Sequence, residues 1–364
     1  MVAGAYLFWP GLPVSEFTQP YQELTVQSWG SNTGRGNIVG IEPVMVPEDY
    51  SSATRFEAKL DWYLAQAQSE GWISGTTTVL LPEHIGTWLM AVDQGDRAYS
   101  QFSSFDALIP LVTNNLIEFA KNYFIFDDPD NITAALIRTR TRASADAQLA
   151  VYANLSQKYG VTLVAGSSAI MTPGAYPDSL SYGHGPIFNA GFVFGPDGSA
   201  QNDAIRKVHP IPAETGFTTA SKPEFLPTFN LASGQKLGVL ICADSWFEDT
   251  TDFLANEGVD IVLVPSFLSN TPWDAPWQGY LNDTPQADNW RQDVGKITEG
   301  EAWVKYALPA QLARNNIRWG MNVFLKGQLW GQKGDGRAII IENGDLHVGE
   351  ADADTPAIYN LWLN

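Results

Sequence analysis

The sequence has little cysteine, histidine or positive charge, and each shortage excludes a class of protein. Its 364 residues include one cysteine, Cys242, so neither an intramolecular disulfide nor a paired-cysteine zinc site can form. The four histidines (His84, His184, His209 and His347) form no HxH or HxxxH pair, and we expect no metal. With 21 Lys and Arg against 40 Asp and Glu, the net charge is −19 without any basic block, and we expect no nucleic-acid partner.

Long hydrophobic runs are also missing. No segment reaches the roughly 20 apolar residues that a transmembrane helix needs. The first 13 residues are apolar but short, and they lack the basic flank of a signal peptide. They could be a strand, an arm or the trimmed end of a longer anchor. The chain as given is expected to be soluble, with the cytoplasm favoured and export or membrane anchoring as the alternative.

The remainder of the chain alternates between strand and helix patterns, with no linker and no internal repeat. A Gly/Ser/Asn-rich loop over 28–37 separates an N-terminal arm, residues 1–36, from a single α/β domain, residues 37–364. The patterns predict strands over 38–46, 77–81, 162–167, 235–242, 259–265, 320–325 and 337–341, and helices over 52–70, 104–124, 131–159, 249–257 and 301–315. Turn residues at 195–198 and 343–344 predict two hairpins, the first joining strands over 187–194 and 199–209.

Cys242 lies where an apolar strand ends, in the run Leu-Gly-Val-Leu-Ile-Cys-Ala-Asp. Ligands bind at the carboxyl ends of strands in α/β proteins, and a thiolate is a strong nucleophile. The alternative is a buried cysteine that acts as a small hydrophobic residue.

Two more segments place an ionisable residue just beyond an apolar strand. Glu83 follows Val-Leu-Leu-Pro, and Lys207 opens the run Lys-Val-His-Pro-Ile-Pro-Ala-Glu, which ends at Glu214. A thiol is mostly protonated at neutral pH, so a nucleophilic cysteine needs a base or a nearby cation. Glu83 can supply the base, and Lys207 can stabilise the oxyanion that forms when sulfur adds to a carbonyl or nitrile carbon.

These three segments, in this order and at these separations, resemble the carbon–nitrogen hydrolase (nitrilase) superfamily over nearly the whole chain. The resemblance implies that Glu83 is the general base, Lys207 the transition-state stabiliser and Cys242 the nucleophile. It also implies that Glu214 orients the substrate and Lys207, and it matches Ser266 at the next strand end. The implied fold is an α/β four-layer α-β-β-α sandwich, usually built into homodimers or larger homo-oligomers.

Some segments depart from the family pattern and bear on the substrate. The turn after Cys242 reads Ala-Asp-Ser-Trp246, unlike the Cys-Trp-Glu of true nitrilases. A Trp- and Pro-rich excursion over 270–290 carries Trp273, Trp277, Tyr280 and Trp290. Aromatic rows wall apolar pockets or pack subunit interfaces, and the sequence leaves both open. We predict that the excursion borders the pocket, and that Trp246, Trp273 and Trp277 bind substrate beside Glu214 and Ser266.

The sequence therefore predicts a hydrolase that cleaves a non-peptide carbon–nitrogen bond of a small-molecule amide through a cysteine thioester, without metal or organic cofactor. Hydrolysis of a nitrile or N-acyl transfer on the same fold are alternatives, and acyl transfer to hydroxylamine would favour the transferase. A catalytically silent binding protein is the third alternative. Failure of Cys242 to react with iodoacetamide would favour it.

Overall fold

The structure is a computed structural model that describes residues 23–101, 103–176, 179–181, 183–201, 203–280 and 290–364. The whole apolar N-terminal segment, within residues 1–22, and part of the aromatic excursion, residues 281–289, lie outside the described residues. No described helix is long and apolar enough to cross a membrane.

Helices and strands are interspersed along the described chain. The helices are α1 (Ala53–Ser69), α2 (Asp96–Tyr99), α3 (Ser104–Asn114), α4 (Leu116–Ile125), α5 (Asn131–Tyr159), α6 (Glu248–Asn256), α7 (Glu299–Tyr306) and α8 (Leu308–Asn315). The strands are β1 (Thr25–Trp29), β2 (Asn37–Glu42), β3 (Val44–Met45), β4 (Thr77–Leu80), β5 (Thr162–Val164), β6 (Ser168–Met171), β7 (Gly174–Tyr176), β8 (Ser179–Ser181), β9 (Ile187–Gly191), β10 (Val193–Phe194), β11 (Ile205–Arg206), β12 (Thr228–Asn230), β13 (Lys236–Val239), β14 (Ile261–Ser266), β15 (Leu268–Ser269), β16 (Trp319–Phe324), β17 (Lys326–Leu329), β18 (Gln332–Asp335), β19 (Ile339–Glu342), β20 (Asp345–Val348) and β21 (Ala357–Trp362).

Two six-stranded sheets hold most of the strands. The first has the order β1-β21-β2-β4-β5-β10, with β2, β4 and β5 parallel. The second has the order β12-β13-β14-β16-β19-β20, with β13, β14 and β16 parallel. Smaller sheets, β11-β9-β6, β15-β18-β17-β3 and β7-β8, flank them. Parallel strands joined by helices make this a mixed α/β fold.

The two large sheets approach each other through small and aliphatic side chains. A Cβ atom on Gly40 of β2 would lie 2.4 Å from the Met321 sulfur and 2.7 Å from Val323 of β16, so only glycine permits this approach. Residues of the first sheet's other face pack with α1 and α5 in one hydrophobic cluster. Leu254 of α6 and Leu312 of α8 pack with the second sheet in another. These two hydrophobic clusters thus hold the two large sheets in place and fix the positions of their strand ends.

The local chemistry of the sequence explains several element boundaries. Ser52 begins α1 by accepting a hydrogen bond from the Arg55 amide, and Gly160 ends α5 in the left-handed conformation, as predicted. Asn343 and Gly344 both adopt positive φ between β19 and β20, which confirms the last hairpin.

Other boundaries differ from the sequence prediction. The helices predicted over 104–124 and 301–315 each divide in two, the second at Ala307 because Pro309 begins a new helix. The predicted loop begins later than residue 28, since β1 runs to Trp29 and pairs with β21. The hairpin turn predicted at 195–198 is present, since Phe194 pairs with Ala200 across it and the Gly195 amide donates to the Ser199 carbonyl. The strand predicted over 199–209 shrinks to β11, which pairs with β9, whereas β10 joins the first sheet beside β5.

Candidate active site

Glu83 is delivered by the end of β4. The strand leads through Leu81 and Pro82 to the carboxylate, whose side chain is 2% exposed. The next residue, His84, has φ 58°, an uncommon conformation for a residue with a side chain. Such strained backbone is held only where surrounding contacts demand it, and here the His84 amide donates to the Ser167 hydroxyl.

Cys242 is delivered by the end of β13 in a similar way. Its φ is 50°, and it begins a short 3₁₀ turn, Cys242–Trp246. The Ser245 hydroxyl donates to the Cys242 carbonyl at 2.7 Å, which holds the turn. The backbone of Phe267, just beyond β14, lies near enough to the sulfur to lower the pKa of the thiol, against the larger raising effect of burial. The end of β14 therefore lies beside the thiol, as a single strand–helix–strand unit requires.

Lys207 follows β11 and lies between two carboxylates. Its Nζ donates to Glu83 Oε1 at 2.8 Å and to Glu214 Oε2 at 2.6 Å. The three side chains are between 1% and 4% exposed. Buried charges at this depth persist only when they are paired and hydrogen-bonded, and both conditions hold here.

Two polar side chains, Asn189 and His84, contact the carboxylates of Glu83 and Glu214. Asn189 of β9 donates from its Nδ2 to Glu83 Oε1 at 2.9 Å and to Glu214 Oε1 at 2.6 Å. The Thr87 hydroxyl accepts from the Ala169 amide and lies 2.8 Å from His84 Nδ1. The other ring nitrogen, Nε2, faces Glu214 Oε1 at 3.3 Å.

Asp244 joins the segment that carries Lys207 to the turn that carries Cys242. Its Oδ1 accepts from the amides of Val208 at 3.0 Å and His209 at 2.7 Å. Its Oδ2 accepts from the Ile241 amide at 3.2 Å. Burial raises the pKa of this fully buried carboxyl to about 6, although His209, Lys207 and the amides of His209 and Val208 lower it. The Asp244 carboxylate thus fixes the position of Lys207 relative to the Cys242 thiol.

The protonation states follow from burial and pairing. Burial alone would lower the pKa of Lys207, but the carboxylates of Glu214 and Glu83 outweigh it and hold that pKa well above its ordinary value. Burial opposes a low pKa at Glu214, yet Lys207 and His84 lower it. Burial and the Glu83 charge raise the pKa of Cys242, against the effect of Lys207. The resting site therefore holds an ammonium and a protonated thiol.

Glu83, Lys207, Glu214 and Cys242 line one cavity of about 810 Å³. The convergence of the three motifs, expected from the sequence, is therefore present in the structure, while their catalytic roles stay predictions. A volume of this size accommodates a drug-sized molecule and greatly exceeds that of a two-carbon amide.

Aromatic rings form one wall of this cavity. Trp246, Trp277 and Tyr280, predicted near the pocket, line it together with Trp303. Trp246 and Trp303 meet edge-to-face at 4.9 Å between ring centroids, and Trp246 and Tyr280 at 5.0 Å. The described part of the excursion therefore reaches the cavity.

Two predicted substrate-binding residues lie off the cavity wall. The ring of Trp273 packs edge-to-face on Phe324 at 5.7 Å and under Gly300, where a Cβ would lie 2.2 Å from it. Ser266 is fully buried, and its Oγ accepts from Asn322 Nδ2 at 2.8 Å. Their side chains support the second sheet instead of facing the cavity.

Asn189 and Asp244 were not recognised as site residues from the sequence. Asn189 is a polar residue in a strand whose neighbours are largely buried, and an amide there needs a polar partner. Asp244 is an acid at the start of a turn beside the only cysteine. Both signals become specific only once the strands are placed side by side.

The carboxylates and His84 also form the geometry of a cation site. One ligand atom from each of Glu83, His84 and Glu214 lies within 4.8 Å of the others. The Lys207 ammonium already contacts both carboxylates, so the cluster carries its own cation. The prediction that no metal takes part stays a prediction.

Amidases from Nesterenkonia sp. are among the solved structures with a similar fold. A double mutant of the amidase from Nesterenkonia sp. AN1 in complex with acrylamide is 15% identical, with 92% of this chain and 94% of that chain covered and a TM-score of 0.52. A mutant of that enzyme with covalent addition of the acetamide moiety of fluoroacetamide at its active-site cysteine is 16% identical, with 90% of each chain covered and a TM-score of 0.54. Another mutant, in complex with butyramide, is 16% identical, with 90% and 91% covered and a TM-score of 0.54.

Sequence comparison identifies the family. No curated protein matches the chain. The carbon–nitrogen hydrolase family matches residues 50–289, a span that contains Glu83, Lys207, Glu214 and Cys242. That match covers more than half of the chain and agrees with the resemblance drawn from the three motifs. This chain belongs to the carbon–nitrogen hydrolase family of the nitrilase superfamily.

Proposed function

We propose that the protein is an amide hydrolase in which Cys242 forms a thioester with the acyl part of the substrate. The observation that carries this proposal is the buried contact of Lys207 with Glu83 in the cavity that holds the only thiol of the chain. A base, a fixed cation and a nucleophile at one strand-end site are what attack on a carbonyl requires.

In the first half-reaction, the sulfur of Cys242 bonds to the amide carbon as its proton passes to Glu83. The carbonyl π electrons move to oxygen, and the Lys207 ammonium stabilises the resulting oxyanion. Since burial raises the pKa of the thiol, proton removal accompanies attack and no thiolate is stored beforehand. The tetrahedral intermediate then expels the amine, which takes the proton back from Glu83, and a thioester remains.

In the second half-reaction, water adds to the thioester carbon and gives a proton to Glu83. The carbon–sulfur bond breaks, the acid leaves, and the sulfur recovers the proton. Glu214 positions Lys207 through its 2.6 Å contact, and Asn189 keeps both carboxylates in register. The lysine needs to stay charged throughout, and its raised pKa supports that role.

The size of the cavity supports a bulky small-molecule amide as the substrate in preference to a very short one. Nitrile hydrolysis and acyl transfer are the alternative reactions. The amidase from Nesterenkonia sp. AN1, whose fold is similar, has been observed with acrylamide and butyramide. Here the rings of Trp246 and Trp277 face a cavity of about 810 Å³. We infer that these rings contact the acyl part of the substrate.

We further propose that the two large sheets and their helices form the four-layer α-β-β-α sandwich of the superfamily. The Gly40 contact between sheets and the helix packing on their other faces support this arrangement. Residues 37–364 would form the hydrolase domain and residues 1–36 the arm, of which β1 pairs with β21. Assembly into a homodimer or larger homo-oligomer remains part of the proposal.

Replacement of the nucleophile tests the mechanism. Cys242→Ala exchanges one small buried side chain for another, so the fold should persist while turnover falls by at least ~10³-fold. Hydrolysis of butyramide is measured by the release of ammonia, and folding is measured by circular dichroism. Activity of the variant within tenfold of the wild type would refute the mechanism. Hydroxamate formation exceeding hydrolysis in hydroxylamine would instead support the transferase.

A further inference from the structure

Glu299 is a carboxylate in the aromatic wall of the cavity, apart from the catalytic group. It is the first residue of α7, and its side chain lines the cavity with Trp246, Trp277 and Tyr280. Its Oε1 accepts a hydrogen bond from Trp303 Nε1 at 3.1 Å. A tryptophan N–H is a neutral donor, so the negative charge is held in place without being neutralised.

No positively charged side chain of the protein pairs with Glu299. All 21 lysines and arginines of the chain belong to the described residues, and none of them forms an ion pair with this carboxylate. Burial raises the pKa of Glu299, which is the expected direction for a carboxylate that lacks a cationic neighbour. A bound cation would remove this penalty.

The cavity as a whole carries excess negative charge. Glu83, Glu214, Asp130 and Glu299 line it, against the single lysine Lys207, whose ammonium already contacts the first two. The net charge of −19 adds a field of the same sign. Clefts lined by one sign of charge concentrate ligands of the opposite sign and repel ligands of the same sign.

The rings around Glu299 suit the same kind of ligand. Aromatic faces attract ammonium groups, and the methylene stem of an alkylammonium packs on rings while its charged end finds a carboxylate. Trp246 begins this wall only four residues after Cys242, in the same 3₁₀ turn. This wall therefore lies close to the nucleophile, where the thioester would hold the acyl part of the substrate.

We propose that the acyl part of the substrate ends in a protonated amine, which Glu299 binds against the rings of Trp246 and Tyr280. The preferred substrates are then ω-amino amides, in which an alkyl chain separates the ammonium from the reacting carbonyl. This inference rests on the proposed amide hydrolysis and adds its substrate class. The catalytic carboxylates cannot take the same role, because Lys207 already pairs with them.

The test compares 6-aminohexanamide with heptanamide, its neutral isostere, as substrates of the wild type and Glu299→Gln. The wild type should favour the amino amide in kcat/KM by roughly ten- to hundredfold, the range expected for a charged hydrogen bond. Glu299→Gln should abolish that preference, mainly by raising KM for the amino amide. Glu301→Gln is the matched control: Glu301 is an exposed acid on the same helix outside the cavity lining, and glutamine preserves its cap on Thr298. This variant should keep the preference.

Binding measurements separate this inference from the proposed mechanism. In calorimetry on the Cys242→Ala protein, 6-aminohexanamide should bind at least tenfold more tightly than heptanamide, and addition of Glu299→Gln should equalise the two. Equal binding of both amides, or a preference that survives Glu299→Gln, overturns the inference even if amides are hydrolysed. If the wild type hydrolyses neither amide, the proposed function fails, and the calorimetric preference alone still decides the inference.

Discussion

Replacement of Lys207 by methionine should damage both stability and activity, and the structure sets the size of the first effect. Methionine keeps most of the buried volume but removes the ammonium. Two carboxylates, Glu83 and Glu214, would then remain in side chains that are 2% and 4% exposed, without their shared cation. Removal of one partner from a buried ion pair typically costs about 3–5 kcal/mol, and we expect a loss of unfolding free energy in that range.

The pH dependence of this loss has a definite sign. Lys207 lowers the pKa of Glu214 in the folded protein. A carboxyl whose folded-state pKa is depressed contributes stability that is fully present above its unfolded pKa of roughly 4.3 and is lost as the pH falls through the folded value. The variant should therefore differ most from the wild type at neutral pH, and the two proteins should converge as the solution becomes acidic.

Urea unfolding at pH 7 and at about pH 3, below the unfolded pKa of the carboxyl, with kinetics under folded conditions, checks this prediction. Lys326→Met is the matched control, since Lys326 is fully buried and 2.9 Å from Glu42, outside the cavity lining. Both variants should lose comparable stability, but only Lys207→Met should lose activity, by at least ~10²-fold. An unfolding free energy within about 1 kcal/mol of the wild type, or equal loss of activity in both variants, would contradict the site as described.

Three further changes probe the wall and the supports of the site. Trp277→Ala should raise KM for bulky amides far more than for butyramide, because it removes a ring from the cavity wall; equal effects in steady-state assays would place that ring outside the substrate contact. Lys207→Arg should not restore kcat, because a planar guanidinium does not replace a compact ammonium between two carboxylates; wild-type kcat would make Lys207 peripheral. Asp244→Asn should reduce kcat at least tenfold and stability by about 1–3 kcal/mol, since an amide cannot accept from all three backbone N–H groups; unchanged kinetics would exclude its positioning role.

The sequence was most informative where strand ends carry chemistry. Glu83 and Cys242 each follow an apolar strand and Lys207 follows the two-residue strand β11, and the ends of β4, β11 and β13 do meet at one cavity. The helical spacing of apolar residues and the capping residues also predicted the bounds of α1 and α5 closely, because both signals are local in the sequence. Local signals suffice for single elements, and the order of the motifs indicated which ends would converge.

Long-range packing decided what the sequence left open. The hairpin predicted at 195–198 does form, with Phe194 paired to Ala200, yet the strands on either side of it join different sheets: β10 pairs with β5 and β11 with β9. Trp273 resembled Trp277 in the sequence, but only the close approach to Gly300 and Phe324 shows that its ring packs beneath the wall. Asn189 became recognisable only when the two carboxylates that it bridges were placed together.

The most direct test of the central claim is the mass of the enzyme during turnover. The wild type is mixed with butyramide, quenched in acid and analysed as intact protein and as peptides. We predict a butyryl thioester on Cys242 of the wild type and no adduct in Cys242→Ala. Steady hydrolysis by the wild type with no acyl adduct at any quench time, or an adduct on a residue other than Cys242, would contradict the mechanism.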